Sequence, residues 1–257
     1  MKKFIYKNRD VIIVSLVLIA LLCIVFKDII FSDYVFVRRD IARIFYPTRN
    51  FVAQELQAGR IPLWNPYIFC GIPLLANIHS SVFYPLSVIY YFMDVAKGLS
   101  LFIIFHIFLS GLFMYLFMKS LNISKSGSFL AGFSFAFSGY IMATINLMSV
   151  LCSVAWFPLV MLLFIKGIKE QKTTFSIWLG IVLVLMFLAG GPTITMATLA
   201  IMFLSSSYLV VERFIKTKNI DRFILYNILI SSGLFLLLTA FQILPAIEYY
   251  AGTTRAK

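Results

Sequence analysis

The chain has 257 residues, of which 61% are hydrophobic and only 12% are charged, and its mean hydropathy is +0.97. Soluble domains carry about 25% charged residues, so this composition excludes an ordinary soluble protein and predicts a membrane protein. The formal net charge of +12 would suggest a nucleic-acid partner in a soluble protein. Here the cationic residues lie in short segments between apolar runs, where they determine membrane topology, and we expect no nucleic-acid partner.

Seven apolar runs approach the roughly 17–25 residues that a helix needs to cross a bilayer. The first has a longer apolar core than a signal peptide and no small-residue cleavage site after Phe26, so we expect it to remain as an anchor. An eighth stretch, Val82–Met93, is too short to cross and contains Pro85, which predicts a re-entrant or interfacial helix. The seven runs are 11–26 (continued by DIIF), 99–118, 128–147, 150–165, 174–190, 194–211 and 223–244.

The positive charges predict a cytoplasmic N-terminus and an extracytoplasmic C-terminus. With seven spans, 13 of the 22 Lys and Arg residues lie on the cytoplasmic side, as the positive-inside rule requires. The two short outer turns, near 146–149 and 190–193, contain none. Counting Val82–Met93 as a span would place the later cationic loops outside. The cytoplasmic set is Lys2, Lys3, Lys7, Arg9, Lys119, Lys125, Lys166, Lys169, Lys172, Arg213, Lys216, Lys218 and Arg222.

The first outer loop, residues 27–98, concentrates the polar chemistry and holds five of the eight prolines. Loops on a rigid scaffold commonly carry function. Asp40 lies among Arg38, Arg39 and Arg43, and we expect its ionised carboxylate to accept a proton from an incoming hydroxyl. The three guanidinium groups suit a phosphate or diphosphate head group. The alternative is a surface ion pair that also anchors the loop to anionic lipid.

The middle of this loop is predicted to be partly helical and partly irregular. Phe45-Tyr46-Pro47 should end a short helix that begins at Asp40, and residues 50–58 predict an amphipathic helix terminated by Gly59. The proline-rich and aromatic segment that follows predicts an irregular path along the membrane interface, with Trp64 and Tyr67 at head-group depth.

The remaining polar candidates are isolated. Asn77 and His79 return the chain to the bilayer, and His79 can orient a sugar hydroxyl or a phosphate, or be an ordinary interfacial residue. His106 lies within a span, where we expect it to hydrogen-bond between helices. Glu55 is expected to face solvent on its helix.

The cysteines and acidic residues predict neither a disulfide nor a metal site. Cys23 and Cys152 fall within predicted spans, where they should pack as small hydrophobes, and Cys70 alone faces the outer compartment. The outer loop lacks HxxxH, DxD and closely spaced paired carboxylates. We therefore expect no metal ligand set.

A longer pattern resembles a known family. D-x-x-x-x-FYP-x-R begins at Asp40, E-x-x-x-G-x-IPLWNPY-x-F-x-GIPLLA begins at Glu55, and FYPL begins at Phe83. FLAGFSFAFSGYIMA (129–143), AWFPL (155–159) and the QILPAIEYYAGTTRA ending extend the likeness over nearly the whole chain. These motifs resemble the bacterial YfhO family of multi-spanning membrane proteins, which is similar to the integral-membrane glycosyltransferases with the GT-C fold.

This resemblance implies an all-α membrane protein of the bacterial plasma membrane. The expected fold is a GT-C-like helical bundle with about seven transmembrane helices, forming a single transmembrane domain over residues 1–257. Members of the family are generally longer, with further spans and an extracytoplasmic C-terminal region. The resemblance therefore implies that this chain is the N-terminal part of a longer protein.

The same resemblance implies an inverting sugar transfer without a cofactor. The donor would be a polyprenyl-phosphate sugar, the acceptor an extracytoplasmic glycan, a cell-wall polymer such as a teichoic acid, or a lipid, and the surrounding membrane lipid a further partner. Asp40 matches the family's candidate base. The expected substrate-binding residues, which are polar or aromatic and extracytoplasmic, are Arg38, Arg39, Arg43, Trp64, Asn77, His79 and Arg255.

Two other classes of function stay open from the residues. Gly190-Gly191-Pro192 could break a helix as transporters do, which suggests a transporter or flippase of lipid-linked sugar. No buried acidic residue lies in the middle of a predicted span to couple ions, which counts against that class. The other alternative is a non-catalytic membrane binding or assembly subunit.

Overall fold

The computed structural model describes residues 2–68, 70–219 and 221–252. Within these ranges the chain forms ten α-helices, which we number in chain order. They are α1 Lys2–Val25, α2 Lys27–Phe31, α3 Tyr46–Gln57, α4 Val95–Ser120, α5 Lys125–Ala136, α6 Gly139–Ala143, α7 Met148–Glu170, α8 Thr173–Leu188, α9 Pro192–Thr217 and α10 Arg222–Ala251.

Short elements fill the connections. A π-helical turn covers Ile41–Phe45, and 3-10 turns cover Ile78–Ser80, Pro85–Tyr91 and Thr144–Asn146. Strand β1 (Trp64–Asn65) pairs antiparallel with β2 (Ile72–Pro73), with Trp64 opposite Pro73.

Among the residues that the structure describes, five helical segments are long and apolar enough to cross a membrane, which confirms an all-α membrane protein. The other two predicted spans coincide with α1 and α8, which are not among the five. Helix α8 has 16 residues, about 24 Å at 1.5 Å per residue, against a hydrocarbon core of about 30 Å. The five segments are Val95–Ser120, Lys125–Asn146, Met148–Glu170, Pro192–Thr217 and Arg222–Ala251.

The third predicted span, 128–147, is interrupted near its middle. Ser138 has an extended backbone, and its hydroxyl accepts a hydrogen bond from the Ile141 N–H at 3.3 Å. A serine in this conformation is a favourable helix N-cap. It therefore separates α5 from α6.

Helix α4 occupies the middle of the bundle, packed on α5 and α7, while α8 packs on α7 and α10. Gly111 and Gly132 allow α4 and α5 to approach closely, since a Cβ added to Gly132 would lie 2.6 Å from the Gly111 carbonyl oxygen. The face of α5 that carries small residues therefore allows close packing on α4. Helices α9 and α10 expose large apolar side chains such as Phe203 and Leu237, as lipid-facing helices do.

The prediction that Pro47 ends a helix is wrong. The π-helical turn Ile41–Phe45 leads directly into α3, and Pro47 lies in the first turn of α3. The N–H that proline lacks falls at the junction of the π-helical turn and α3, where the hydrogen-bond pattern changes and accommodates it. The predicted end is confirmed: Gly59, with φ +74°, follows α3 and takes the left-handed position common after helices.

The return segment to the bilayer is buried rather than extended on the surface. Tyr84 immediately precedes the 3-10 turn Pro85–Tyr91, and Tyr90 lies within it. Their side chains are 2% and 1% exposed, respectively. The Tyr84 hydroxyl lies 2.7 Å from His106 Nε2 and accepts a hydrogen bond from Trp156 Nε1 at 2.8 Å. His106 Nδ1 donates to the Phe102 carbonyl at 2.8 Å, so Nε2 is the acceptor for Tyr84. His106 thus joins α4 to α7 through Tyr84.

Candidate functional site

A cavity of about 280 Å³ brings three distant parts of the chain together. Its wall combines the turn that begins at Asp40, the 3-10 turn preceded by Asn77, and the start of α7. Three of the predicted site residues, Asp40, Asn77 and His79, meet here. The complete lining is Asp40, Ile44, Phe45, Asn77, His79, Leu147, Ser149 and Val150.

Asp40 is half-buried at the start of the π-helical turn. Its side chain does not cap that turn. Within the described residues no ion pair joins it to Arg38, Arg39 or Arg43. A carboxylate on a cavity wall that is not committed to a guanidinium partner is free to accept a proton from a bound hydroxyl.

Asn77 and His79 form one local unit. The Asn77 Oδ1 accepts a hydrogen bond from the His79 backbone N–H at 3.2 Å and caps the 3-10 turn. Partial desolvation lowers the pKa of His79, and the positive charge of Arg49 lowers it further, while a hydrogen bond with the Gly190 backbone opposes both effects. His79 is therefore neutral at pH 7 and can both donate and accept hydrogen bonds.

Arg49 is the residue of this region that the site prediction missed. It lies on α3, is only 1% exposed, and donates through Nη2 to the His79 carbonyl at 3.4 Å. Its guanidinium carbon lies 5.9 Å from the centre of the Tyr90 ring. Arg49 thus places a fixed positive charge behind the cavity wall. The signal was present in the sequence, because Arg49 is the final residue of the D-x-x-x-x-FYP-x-R pattern.

Ser149 supplies a buried hydroxyl to the cavity. It is 2% exposed, and its Oγ has no hydrogen-bond partner among the described residues. An unpaired buried hydroxyl costs about 1–3 kcal/mol, so a bound polar group would offset that cost. No motif in the amino-acid sequence distinguishes this serine from the other serines of the spans.

The turn between α8 and α9 supports this wall from behind. The Ser81 hydroxyl donates to the Ala189 carbonyl at 3.0 Å, and the Ser153 hydroxyl accepts from the Gly191 N–H at 3.0 Å. Gly190 has φ +98°, and a Cβ added there would lie 3.0 Å from Ser149 Oγ. The glycine pair therefore permits a tight turn against the outer loop and α7.

The other predicted substrate-binding residues do not line the cavity. Arg38, Arg39 and Arg43 are close to Asp40 in sequence, but their side chains are exposed. Arg39 has a positive φ of +50°. Trp64 is also exposed, and its indole packs on Gly71. Arg255 lies outside the described residues.

Glu55 and the cysteines Cys70 and Cys152 do not line the cavity. Both Glu55 carboxylate oxygens accept hydrogen bonds from Arg60 at 2.8 Å, which lowers the pKa of Glu55. Glu55 is thus paired, and it does not line the cavity. Cys70 is exposed and Cys152 is buried. Over residues 2–68, 70–219 and 221–252, no three His, Cys, Asp or Glu side chains are grouped as metal ligands would be.

No protein-family model, curated protein or solved structure matches this chain. The likeness to the YfhO family therefore depends on the motifs themselves. The cavity and its chemistry are the basis for a functional proposal.

Proposed function

We propose that this chain is part of an integral-membrane glycosyltransferase related to the YfhO family, with a GT-C-like bundle. It transfers a sugar from a polyprenyl-phosphate donor to an extracytoplasmic glycan, polymer or lipid acceptor. The observation that carries the proposal is the cavity that unites Asp40 with Asn77, His79 and Ser149. These residues come from two separate parts of the outer loop and from α7.

The arrangement of charge supports the proposed orientation, with the N-terminus in the cytoplasm and seven spans in the plasma membrane. The cavity lies where the outer loop meets the start of α7, at the end of the bundle that also contains the turn at Gly190. The connections Lys119–Lys125 and Arg213–Arg222 lie at the other ends of their helices and are rich in cationic residues. Such an asymmetry is typical of proteins that follow the positive-inside rule.

The chemistry assigned to the cavity is a single displacement. The Asp40 carboxylate accepts the proton of the acceptor hydroxyl, the acceptor oxygen forms a bond to the anomeric carbon, and the bond from that carbon to the lipid phosphate oxygen breaks. The configuration at the anomeric carbon is inverted. The phosphate leaves with its negative charge, which Arg49 behind the wall and the exposed Arg38, Arg39 and Arg43 nearby stabilise.

The size of the cavity restricts what enters it. Its volume of about 280 Å³ is slightly below the range of about 300–1,000 Å³ usual for ligand sites. Only the reacting end of the donor is therefore enclosed, and the polyprenyl chain stays in the bilayer. The neutral His79 imidazole and the Ser149 hydroxyl then contact sugar hydroxyls or phosphate oxygens.

The test replaces Asp40 with asparagine in the protein expressed in cell membranes. Membranes that contain the Asp40→Asn variant are incubated with a radiolabelled polyprenyl-phosphate sugar, and label in the acceptor fraction is measured. Loss of a general base lowers the rate by about 10²–10⁴-fold. The matched control is Asp33→Asn, because Asp33 is an exposed carboxylate of the same loop that does not line the cavity.

A transfer rate of Asp40→Asn equal to that of the Asp33→Asn control would overturn the assignment of Asp40. If instead lipid-linked sugar crosses the membrane without transfer, and both variants support that movement equally, the protein is a flippase. Absence of both activities in wild-type membranes would favour a binding or assembly subunit.

A further inference from the structure

A second cavity, of about 370 Å³, lies between α1, α4 and α5 at the opposite end of the bundle from Asp40. Tyr115, which lines it, is twenty residues beyond Val95 on α4, or about 30 Å along the helix. We call this cavity the inner groove. One part of its wall is apolar and includes Ile13, Val17 and Phe129.

The polar end of the inner groove carries a net positive charge. Asp10 forms ion pairs with Lys125 at 2.9 Å and with Lys119 at 3.5 Å. Two ammonium groups and one carboxylate leave one unbalanced positive charge, and Arg9 adds another at the same end of α1. This end therefore attracts an anion, whereas the apolar wall beside it attracts a hydrocarbon chain.

Tyr115 supplies an unused hydrogen-bonding group in this wall. The residue is fully buried, and its hydroxyl has no hydrogen-bond partner among the described residues. The Lys119 ammonium lies 5.6 Å from the centre of its ring. Buried hydroxyls are normally hydrogen-bonded, so the unpaired oxygen indicates that this wall meets a polar group when it is occupied.

Gly111 and Gly132 explain why Tyr115 is buried at this place. A Cβ added to Gly132 would lie 3.3 Å from the Tyr115 Cβ, and one added to Gly111 would lie 3.4 Å from Leu18 Cδ1. The close approach of α4 and α5 therefore holds the tyrosine between these helices and α1.

We propose that the inner groove binds an anionic membrane phospholipid. The phosphate accepts hydrogen bonds from Lys125 and Lys119, an oxygen of the head group or ester accepts from the Tyr115 hydroxyl, and the first part of an acyl chain lies along Ile13, Val17 and Phe129. The apolar wall and the adjoining cationic end match an amphiphile with a negative head group. This proposal is independent of sugar transfer.

The experiment measures the affinity of the purified protein in detergent for a fluorescent phosphatidylglycerol, with a fluorescent phosphatidylcholine as the zwitterionic comparison. Wild type should prefer phosphatidylglycerol. Lys125→Gln should weaken its binding about tenfold, because a hydrogen bond to a charged group is lost. Asp10→Asn should strengthen the binding, because the carboxylate that competes for both lysines is removed.

Tyr115→Phe tests the hydroxyl alone. It should weaken phosphatidylglycerol binding about two- to tenfold, while the melting temperature without added lipid stays the same or rises, since a buried unpaired group is removed. Tyr226→Phe is the matched control, because Tyr226 is an exposed tyrosine near the start of α10 that does not line the inner groove. It should leave the affinity unchanged.

Several results would overturn the proposal. Equal affinity of wild type and Lys125→Gln for phosphatidylglycerol would show that the cationic end does not bind the head group. Weaker binding by Asp10→Asn would point to a zwitterionic ligand whose ammonium contacts Asp10. If millimolar inorganic phosphate displaces the lipid completely, the site binds a free anion and the apolar wall has no part in it.

Discussion

Gly190→Ala is the substitution whose consequence the structure determines most directly. Gly190 has φ +98°, and a Cβ at this position would lie 2.6 Å from Ser81 Oγ, 3.0 Å from Ser149 Oγ and 3.3 Å from the Ile78 carbonyl oxygen. All three contacts are shorter than ordinary van der Waals contact, and the one to Ser81 Oγ cannot form unless an atom moves. Ser149 lines the cavity that contains Asp40. The substitution should therefore destabilise the fold and displace the wall of the candidate site.

The magnitude follows from two costs. A left-handed backbone costs a residue with a Cβ about 1–2 kcal/mol, and an extra carbon in a packed interior costs about 1–3 kcal/mol. The free energy of unfolding should then fall by about 2–5 kcal/mol. For a chain of this size each kcal/mol lowers the melting temperature by about 2–4 °C, so Gly190→Ala should lower it by at least about 4 °C.

The assay is thermal unfolding of the purified protein in detergent, followed by tryptophan fluorescence. Gly233→Ala is the matched control, since no heavy atom lies within 4 Å of a Cβ added at Gly233 on α10. Alanine favours helix over glycine by about 1 kcal/mol, so this variant should be as stable as wild type or more so.

A double variant tests the contact itself. Ser81→Gly removes the nearest oxygen, and Ser81 has φ +44°, which glycine adopts freely. Ser81→Gly also loses the hydrogen bond to the Ala189 carbonyl, so it should cost stability alone but less in the presence of Gly190→Ala, with a coupling of about 1 kcal/mol. The reasoning is refuted if Gly190→Ala has the same melting temperature as the Gly233→Ala control. It is also refuted if the changes in unfolding free energy caused by Ser81→Gly and Gly190→Ala are additive.

Two further outcomes concern polar groups of the outer loop. Tyr84→Phe should lower the free energy of unfolding by about 2–4 kcal/mol, because it leaves the Trp156 N–H and His106 Nε2 without the hydroxyl that contacts both; an unchanged melting temperature would contradict the network. The pKa of His79 is lowered from 6.5 in the fold, so just below pH 6.5 the unfolded chain binds more protons at this residue and stability falls as the pH drops through this window. His79→Gln should flatten that part of the stability profile, and identical profiles would show that His79 is not desolvated.

The outer loop shows where sequence pattern was sufficient and where it was not. The end of α3 at Gly59 was predicted because the signal is local: a glycine accepts the left-handed conformation that follows a helix. The break attributed to Pro47 was wrong, because the helical path runs from the π-helical turn through Pro47 into α3. A proline removes one N–H and widens the turn before it, and the π-helical turn Ile41–Phe45 takes up that change.

The arginines of the loop show the limit of argument from proximity in sequence. Arg38, Arg39 and Arg43 surround Asp40 along the chain, yet they are exposed, whereas Arg49 is buried. Which arginine is enclosed depends on the face of α3 that meets Tyr90 and the His79 turn. That contact joins segments separated by dozens of residues, so the D-x-x-x-x-FYP-x-R pattern contains Arg49 but does not show that it is enclosed.

The amino-acid sequence by itself determined that this protein is helical and embedded in a membrane, and it located the apolar helices and the loop that carries the polar residues. These properties follow from hydropathy and local conformational preference, which act over a few turns of chain. Only the tertiary structure decided that Asp40, Asn77 and His79 share a cavity with Ser149, and that α1, α4 and α5 enclose the inner groove. Both sites form from residues distant in sequence, so their existence depends on how the helices pack.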